Sequence, residues 1–387
     1  MLCHTEPASL SAINACSPRV ITGLSCLCQA MQKAKSDASL YATEYVEHSG
    51  ETMGHQIFAA DTVSRLYAGE LKLAGFLDQF GFSFSPVLLL GDLGDPGIYS
   101  LPALTPVSTL TVTYIASGAP VTDTYTGVKL WDLLSDAGSV TVTDAKNDIL
   151  SKYVVATGSD GYKAVFSLGE IAPDFGGRAV TVGYSDSGGQ IGPSGSGGLA
   201  RMVVPGDQAG GRYVSDLVSL QVKGLPEPGP SGPGGISDHV ELYGKVESPS
   251  IVTPASLQFM NQSITETATY ASATGEVTDT YTGVSLWTLI QNAGLLTDPS
   301  IKNDLLRFGV VATGSDGYRA FISLGEIDPA FGNQPDLVAY ADTGGQLGPS
   351  GRDGALRLVV PGDHAGGRYV SNLVSLQVVD AVGGHHA

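Results

Sequence analysis

An internal duplication constrains this chain more than any other feature of its sequence. Residues 121–222 align without a gap on residues 277–378 at a constant offset of 156, and about two thirds of the paired positions are identical. The repeats of solenoid and propeller proteins run to roughly 20–50 residues, so a period this long corresponds to a whole folded domain. The sequence therefore predicts two tandem copies of one domain.

The segments around the identical region suggest where each copy begins and ends. A strand is predicted near residue 87 and another near residue 239, upstream of the matched regions. The segment from Gly224 to Gly235 alternates proline and glycine without a periodic apolar face, which is typical of an extended, semi-flexible linker. We therefore expect two separate domains joined by a short linker. The predicted ranges are 1–85 for an N-terminal segment that is partly helical or disordered, 86–223 for copy 1, 224–238 for the linker, 239–380 for copy 2 and 381–387 for a tail.

The patterns within each copy favour short strands around one helix. Apolar residues recur at helical spacing over 130–137, and Gly138 follows where a left-handed residue would end the helix. Valine-rich runs bounded by Gly, Pro, Asp or Ser predict strands at 153–157, 164–168, 179–184, 199–204 and 214–222. The predicted fold class is α+β, mainly β, with a small helical N-terminal segment before the two domains.

Charge and hydropathy exclude some classes of partner. The chain of 387 residues carries 38 acidic and 20 basic residues, a net charge of −18, which repels phosphate backbones and anionic lipid headgroups. No apolar run reaches the ~18 residues that a membrane span needs. Arg19 is the one Lys or Arg before the short apolar stretch 20–31, so no clear signal peptide is present. We expect neither nucleic-acid binding nor membrane insertion.

All four cysteines lie near the N-terminus, at Cys3, Cys16, Cys26 and Cys28. Residues 29–387 therefore contain no disulfide framework, zinc ribbon or thiolate catalyst. The Cys26-Leu27-Cys28 pair lacks the second ligand pair that a metal site would need, so we expect no metal site.

Several motifs recur in both copies in the same order. In copy 1 they are Tyr125-Thr-Gly-Val-Lys-Leu-Trp131, Asp160-Gly-Tyr-Lys-Ala164, Gly188-Gly-Gln190, Val203-Val-Pro-Gly206 and Gly211-Arg-Tyr-Val214. This order resembles the oxidoreductase molybdopterin-binding domain of the sulfite oxidase superfamily, most closely its short, stand-alone, usually exported bacterial versions. The resemblance implies a mainly β domain that holds a molybdenum pterin through loops at one end, and a periplasmic or extracellular location. If the protein is an enzyme, the resemblance implies a molybdopterin-dependent oxidoreductase.

The resemblance also assigns candidate site residues. Tyr162 and Tyr318 match a tyrosine that lies beside the metal in family enzymes, and they are the candidate catalytic residues. The segment that approaches the pterin phosphate in the family maps onto Gly211, Arg212, Gly367 and Arg368. A guanidinium beside glycine amides suits a phosphate or another anion.

Two departures argue against family chemistry. Family enzymes hold molybdenum through a cysteine thiolate, and neither copy contains a cysteine. The lysine that usually follows the glycine-arginine run is replaced by Ser215 and Ser371. Molybdopterin remains a candidate cofactor, without molybdenum held by a cysteine. We therefore favour a ligand-binding or non-catalytic tandem protein whose small-molecule or protein partner is unknown. One alternative is a molybdopterin-dependent oxidoreductase or pterin carrier. The other is a cell-surface structural or interaction module.

Each candidate also has a purely structural interpretation. Arg212 and Arg368 could instead pair with the nearby Asp207 and Asp363. The two tyrosines could be half-buried residues at strand edges. Further structural interpretations cover Asp160 and Asp316 as turn residues, Asp186 and Asp342 as turn residues or ligands of a hard cation, His364 as an exposed loop residue, and Trp131 and Trp287 as core residues.

Overall fold

The computed structural model describes residues 85–191, 200–225, 234–272, 275–348 and 353–383. Nearly all of the N-terminal segment predicted at 1–85, and most of the predicted linker, lie outside the described residues. Within the described part of the chain, no helix is long and apolar enough to cross a membrane.

Copy 1 consists mainly of short strands, as its valine-rich runs predict, with two helices where the sequence predicted one. Its strands are β1 (Pro86–Gly91), β2 (Gly97–Ser100), β3 (Ser108–Ala116), β4 (Ala119–Lys129), β5 (Lys152–Gly158), β6 (Lys163–Ser167), β7 (Thr181–Asp186), β8 (Gly189–Gln190), β9 (Arg201–Val203) and β10 (Leu217–Gly224). Its helices are α1 (Leu130–Asp136) and α2 (Leu168–Ile171), with 3₁₀ turns at Leu101–Ala103, Asp148–Ser151 and Gly210–Arg212. The mainly β, α+β class is confirmed.

Copy 2 repeats this order of strands. They are β11 (Val240–Gly244), β12 (Ser250–Val252), β13 (Ser263–Ser272), β14 (Gly275–Ser285), β15 (Phe308–Gly314), β16 (Arg319–Ser323), β17 (Leu337–Asp342), β18 (Gly345–Gln346), β19 (Arg357–Val359) and β20 (Leu373–Asp380). The helices are α3 (Pro254–Phe259), α4 (Leu286–Ala293) and α5 (Leu324–Ile327), with 3₁₀ turns at Asp304–Arg307 and Gly366–Arg368. Helix α3 stands between the second and third strands of copy 2, where copy 1 has the 3₁₀ turn Leu101–Ala103.

Each copy contains two five-stranded sheets around an apolar core. In copy 1 one sheet has the order β2-β1-β10-β5-β6, and the other has the order β3-β4-β7-β8 with β9 also paired to β7. Strands β1 and β10 run parallel, whereas the other pairs of the first sheet are antiparallel. Copy 2 has the same two strand orders. The core of each copy includes the buried face of its helix, such as Leu133 in α1 and Leu289 in α4.

The long hairpin of each copy is the element that sequence analysis misses. Strand β3 pairs along its whole length with residues 119–127 of β4. Threonines face each other across the exposed side, as in Thr111 and Thr124 with their hydroxyl oxygens 2.7 Å apart. Val112 and Tyr114 occupy the buried side. Alternation of exposed threonine with buried apolar residues is the period-2 pattern of a half-buried strand.

The helix predicted over 130–137 is confirmed as α1. Gly138 follows it with a φ of +77°, the left-handed conformation that glycine adopts without strain, and Gly294 follows α4 in the same way at +73°. Trp131 and Trp287 were expected to be core residues. They are partly buried and pack against the edge of each core.

The two copies pack against each other and belong to one compact unit. The expectation of two separate domains joined by a short linker is therefore corrected. The rings of Tyr153 in β5 and Phe321 in β16 stack with centroids 4.5 Å apart. Around them Val155, Val165 and Val311 are at most 4% exposed. Separation of the copies would expose this second apolar layer to water, so burial of the layer holds them together. The boundaries at 86–223 and 239–380 stay predictions.

Candidate functional site

A concave cavity of about 600 Å³ lies against copy 2 and contains two of the predicted site residues, Tyr318 and Gly367. Its wall also includes residues of copy 1, namely Lys146, Asn147 and Phe175. The volume falls within the range of ~300–1,000 Å³ that is usual for small-molecule sites. The cavity is therefore a candidate ligand site to which both copies contribute.

Tyr318 is held in place by contacts to both copies. Its hydroxyl donates to the carbonyl oxygen of Gly367 at 2.6 Å and accepts from Nδ2 of Asn147 at 3.2 Å. The side chain of Asp316 accepts from the backbone N–H of Tyr318 at 3.0 Å, as its interpretation as a turn residue predicts. Burial raises the pKa of the Tyr318 phenol, so this group stays protonated at neutral pH. Lys146 Nζ lies 5.6 Å from the centre of its ring.

Tyr162 has the same surroundings with the copies exchanged. Its hydroxyl donates to the carbonyl oxygen of Gly211 at 2.7 Å and accepts from Nδ2 of Asn303 in copy 2 at 2.9 Å. Lys302 Nζ lies 6.0 Å from the centre of its ring. This reciprocity is that of an isologous interface, in which the same surface of each partner is used twice.

Arg357 is a functional candidate that sequence reasoning missed. Its guanidinium lies 5.6–5.9 Å from the ring centres of Tyr270, Tyr281 and Tyr369, and Tyr270 stacks on Tyr369 with centroids 4.1 Å apart. Nη1 donates to Asp353 at 3.0 Å and Nη2 donates to the hydroxyl of Tyr270 at 3.1 Å. Burial alone would lower the pKa of Arg357, but Asp353 and the tyrosines raise it, so the group is cationic. Its one sequence signal is that an arginine, Arg201, also occupies the matched position of copy 1.

The charged residues that line the cavity are two cations and one acid, and one of the cations, Arg357, is also paired with Asp353. Lys146 and Arg357 are the lining cations, and Asp316 is the lining acid. Arg357, Tyr270 and Tyr369 lie in the same wall, so a planar anion could contact both a positive charge and aromatic faces there. With a net charge of −18 over the whole chain, this wall is a local exception.

Arg212 does not line the cavity but lies fully buried in a cluster of charges. Its Nε and Nη2 donate to the two carboxylate oxygens of Asp207 at 2.8 and 2.5 Å, and Nη1 donates to Glu170 at 2.8 Å. Arg178 adds a second cation, 3.0 Å from Glu170 and 2.9 Å from Asp207. Two arginines thus balance two carboxylates. Burial would raise the pKa of Glu170, but Arg212 and Arg178 outweigh it and hold this pKa below its usual value.

Arg368 occupies the matched position in copy 2 and donates to Asp363 and Glu326. Oε2 of Glu326 also accepts from the hydroxyl of Ser167, 2.9 Å away in copy 1. Both arginines therefore make the pairing with Asp207 or Asp363 that their structural interpretation predicts. All three nitrogens of each guanidinium donate to carboxylates, so contact of Arg212 or Arg368 with a pterin phosphate stays a prediction without structural support.

The two clusters differ in charge because two positions have diverged. Gln334 stands in copy 2 where copy 1 has Arg178, and Asp336 stands where copy 1 has Val180. Among the described residues of this cluster, one arginine faces three carboxylates, compared with two and two in copy 1. Burial, followed by the nearby Glu326, raises the pKa of Asp336 well above its usual value, while Arg368 opposes the shift.

The remaining predicted residues lie at the ends of strands or in loops. Asp186 and Asp342 each accept a hydrogen bond from the backbone N–H two residues later, at 2.8 and 2.7 Å. His364 is exposed, as expected, and its Nδ1 lies 2.9 Å from the carbonyl oxygen of Pro173 in copy 1. No group of three or more His, Cys, Asp or Glu side chains that could hold a metal occurs in the described parts of the chain.

The described residues do not fit a thiolate-bound molybdenum centre. They include no cysteine, and soft sulfur ligands are what this metal takes from the family's proteins. The two arginines assigned to the pterin phosphate are buried at 0% and 2% exposure behind their carboxylate partners.

Comparisons with known proteins give a distant structural likeness. No family model matches this chain, and no curated protein matches it. Among solved structures, it is similar to the sulfane dehydrogenase SoxCD from Paracoccus pantotrophus, with 16% identity and a TM-score of 0.29. That match covers 59% of this chain and 56% of the other, so the chain spans a little over half the length of the structure that it matches.

Proposed function

We infer that this protein binds a small organic anion with a planar ring in the cavity at copy 2. The inference rests on a cavity of about 600 Å³ that is lined by two cationic side chains and one acidic side chain, in a strongly acidic chain. Lys146 at the rim and Arg357 in the wall supply the positive charge, and Tyr270 and Tyr369 supply aromatic faces. Anions that reach the acidic protein would be favoured at this site over the rest of its surface.

The duplication has a direct role in this function. Asn147, Lys146 and Phe175 of copy 1 complete a wall that is otherwise made by copy 2. A Cβ on Gly367 would lie 2.4 Å from the ring of Phe175, so the glycine lets the two copies approach closely here. One copy alone would present an open surface in place of a cavity. Export to the periplasm or cell exterior belongs to the proposal through the family resemblance, and fractionation of cells that express the full chain tests it.

Calorimetric titration of the full chain with benzenesulfonate tests the binding function. This probe carries a planar ring and a permanent negative charge, and benzyl alcohol serves as its neutral counterpart. We expect benzenesulfonate to bind and benzyl alcohol to bind much more weakly. The Lys146→Met variant should bind benzenesulfonate about three- to fivefold more weakly, as loss of an exposed ion pair implies.

The reciprocal arrangement of the copies offers a matched control. Lys302 lies over the ring of Tyr162 as Lys146 lies over Tyr318, but it does not line the cavity. The Lys302→Met variant should therefore retain wild-type affinity. Equal binding of the neutral and anionic probes, or equal loss in the two lysine variants, would refute the proposal. Near-stoichiometric molybdenum in the purified protein would instead favour the oxidoreductase.

A further inference from the structure

The side chain of Asp336 is a buried carboxyl group that has no hydrogen-bond partner among the described residues. It is 1% exposed, and neither of its carboxylate oxygens has a partner among the described residues. A buried ionised carboxylate without partners is costly, and such a group usually takes up a proton instead. The charged and titratable groups that face Asp336 are Glu326, Asp363, Arg368 and Tyr369 of copy 2 and Glu170 of copy 1.

Copy 1 provides an internal comparison for this group. There the matched position is Val180, and the cluster gains the guanidinium of Arg178. With all groups ionised, the buried cluster of copy 1 has no net charge. The cluster of copy 2, with one arginine and three carboxylates, has a net charge of −2. A proton on Asp336 would remove half of this excess.

The unbalanced cluster lies directly behind the wall of the cavity. Gly366 and Gly367 line the cavity, while Arg368 of the same 3₁₀ turn reaches into the cluster. Tyr369, the next residue, lines the cavity and also faces Asp336. Its hydroxyl finds no hydrogen-bond partner in the described part of the chain, whereas the matched Tyr213 donates to Val204 O at 2.9 Å.

We propose that the buried cluster of copy 2 is a proton-binding site, in which Asp336 takes a proton from solvent and thereby holds the Gly366–Arg368 turn in position beside the cavity. When Asp336 loses this proton, its carboxylate competes with Glu326 and Asp363 for Arg368. The turn then shifts, and negative charge increases behind the cavity wall. The consequence for an anionic ligand rests on the proposed function: it binds less tightly as the pH rises.

The direction of the stability effect follows from proton linkage. Because the pKa of Asp336 is raised in the folded protein, the native state binds more protons than the unfolded state above the usual pKa of aspartate. The free energy of unfolding contributed by this group therefore falls as the pH rises through that window. Replacement of Asp336 by a residue that does not titrate removes this dependence.

Nuclear magnetic resonance of the full-length protein tests the site without any ligand. We expect the backbone amide signals of Gly366 and Gly367 to titrate at pH values above the usual pKa of aspartate in the wild type, and to lose this titration in Asp336→Asn and Asp336→Val. Asp328→Asn is the matched control, because Asp328 is also a buried acid with a raised pKa but accepts a hydrogen bond from Ala330. An unchanged titration in both Asp336 variants, or no titration in the wild type, would overturn the proposal.

Benzenesulfonate affinity then separates this inference from the proposed function. The affinity of the wild type should fall about fivefold or more across the same pH range, as is usual for coupled sites, and that of Asp336→Asn should stay constant. Binding that is independent of pH in the wild type overturns the coupling and leaves the binding function intact. Failure of benzenesulfonate to bind at any pH overturns the binding function, while the glycine titration still decides the proton site.

Discussion

A matched pair of serines offers a direct test of how the copies are held together. Ser167 is fully buried, caps α2 by accepting from the N–H of Glu170 at 3.1 Å, and donates across the interface to Glu326 at 2.9 Å. Ser323 is its counterpart in copy 2 and is equally buried, but its hydroxyl has no partner within the described ranges. The same substitution to alanine should therefore have opposite consequences at the two sites.

The magnitude follows from the contacts that each substitution removes. Ser167→Ala loses a helix cap, typically about 1 kcal/mol, and a hydrogen bond to a buried carboxylate, typically about 1.5–3 kcal/mol. We therefore expect the free energy of unfolding to fall by about 2–4 kcal/mol. Ser323→Ala removes a hydroxyl that is buried without a partner, so it should leave stability unchanged or raise it by about 1 kcal/mol.

Urea unfolding of the full-length variants, followed by circular dichroism and by tyrosine fluorescence, measures both changes. A second arm uses Glu326→Gln in a double-mutant cycle with Ser167→Ala, which isolates the contact between the copies from the loss of the cap. Equal destabilisation by the two serine variants would refute the reasoning. A coupling energy near zero in the cycle would place the whole effect within copy 1.

Further predictions concern the same interface. Gly325→Ala places a Cβ 2.6 Å from Cδ of Arg212, so it should lower the free energy of unfolding by about 1–3 kcal/mol in thermal unfolding. Gly97→Ala is the control: its Cβ would meet nothing closer than 3.9 Å, and it should change stability by less than about 0.5 kcal/mol. Equal effects of the two substitutions would contradict this packing. The pKa of Glu170 is lowered in the folded protein, so its stabilising contribution is present above the usual pKa of glutamate and is lost as the pH falls through the folded value. The loss in the free energy of unfolding caused by Glu170→Gln should therefore become smaller below about pH 4, as measured by urea unfolding. Burial raises the pKa of Glu326, so its contribution should change in the opposite sense, decreasing as the pH rises, and deficits that do not vary with pH would contradict both assignments.

Sequence patterns were reliable where the determinant is local. The spacing over 130–137 and the following Gly138 are enough to define α1, because a helix is set by contacts three and four residues apart. The valine-rich runs likewise identify β5 and β6 to within a residue or two. The hairpin β3–β4 was missed although β3 alternates threonine with Leu110, Val112 and Tyr114, which is the period-2 pattern that predicts a half-buried strand.

The packing of the copies had a sequence signal that was not used. Strand β5 contains consecutive buried residues at Tyr153, Val154, Val155 and Ala156, and a continuous apolar run is typical of a strand covered on both faces. One face packs on the core of copy 1, and the other meets copy 2. Reading this run as a two-sided strand would have predicted the interface.

The charge clusters illustrate what local patterns cannot supply. Asp207 lies five residues before Arg212, and that pairing was foreseen as the structural interpretation. Glu170 is 42 residues from Arg212 in sequence, and no local pattern connects them. Buried polar networks of this kind depend on the fold that brings their members together.

The divergent positions of a duplicated chain say more about specific function than the identical ones. Residues shared by both copies, such as Arg212 and Arg368, maintain a buried scaffold that each copy needs. Copy 2 has Gln334 at the position of Arg178 and Asp336 at the position of Val180, and a buried carboxylate without a partner among the described residues costs stability. The cavity lies on the other side of the Gly366–Arg368 turn. The excess negative charge of the buried cluster in copy 2 therefore makes the cavity sensitive to pH, whereas the neutral cluster of copy 1 has no such effect.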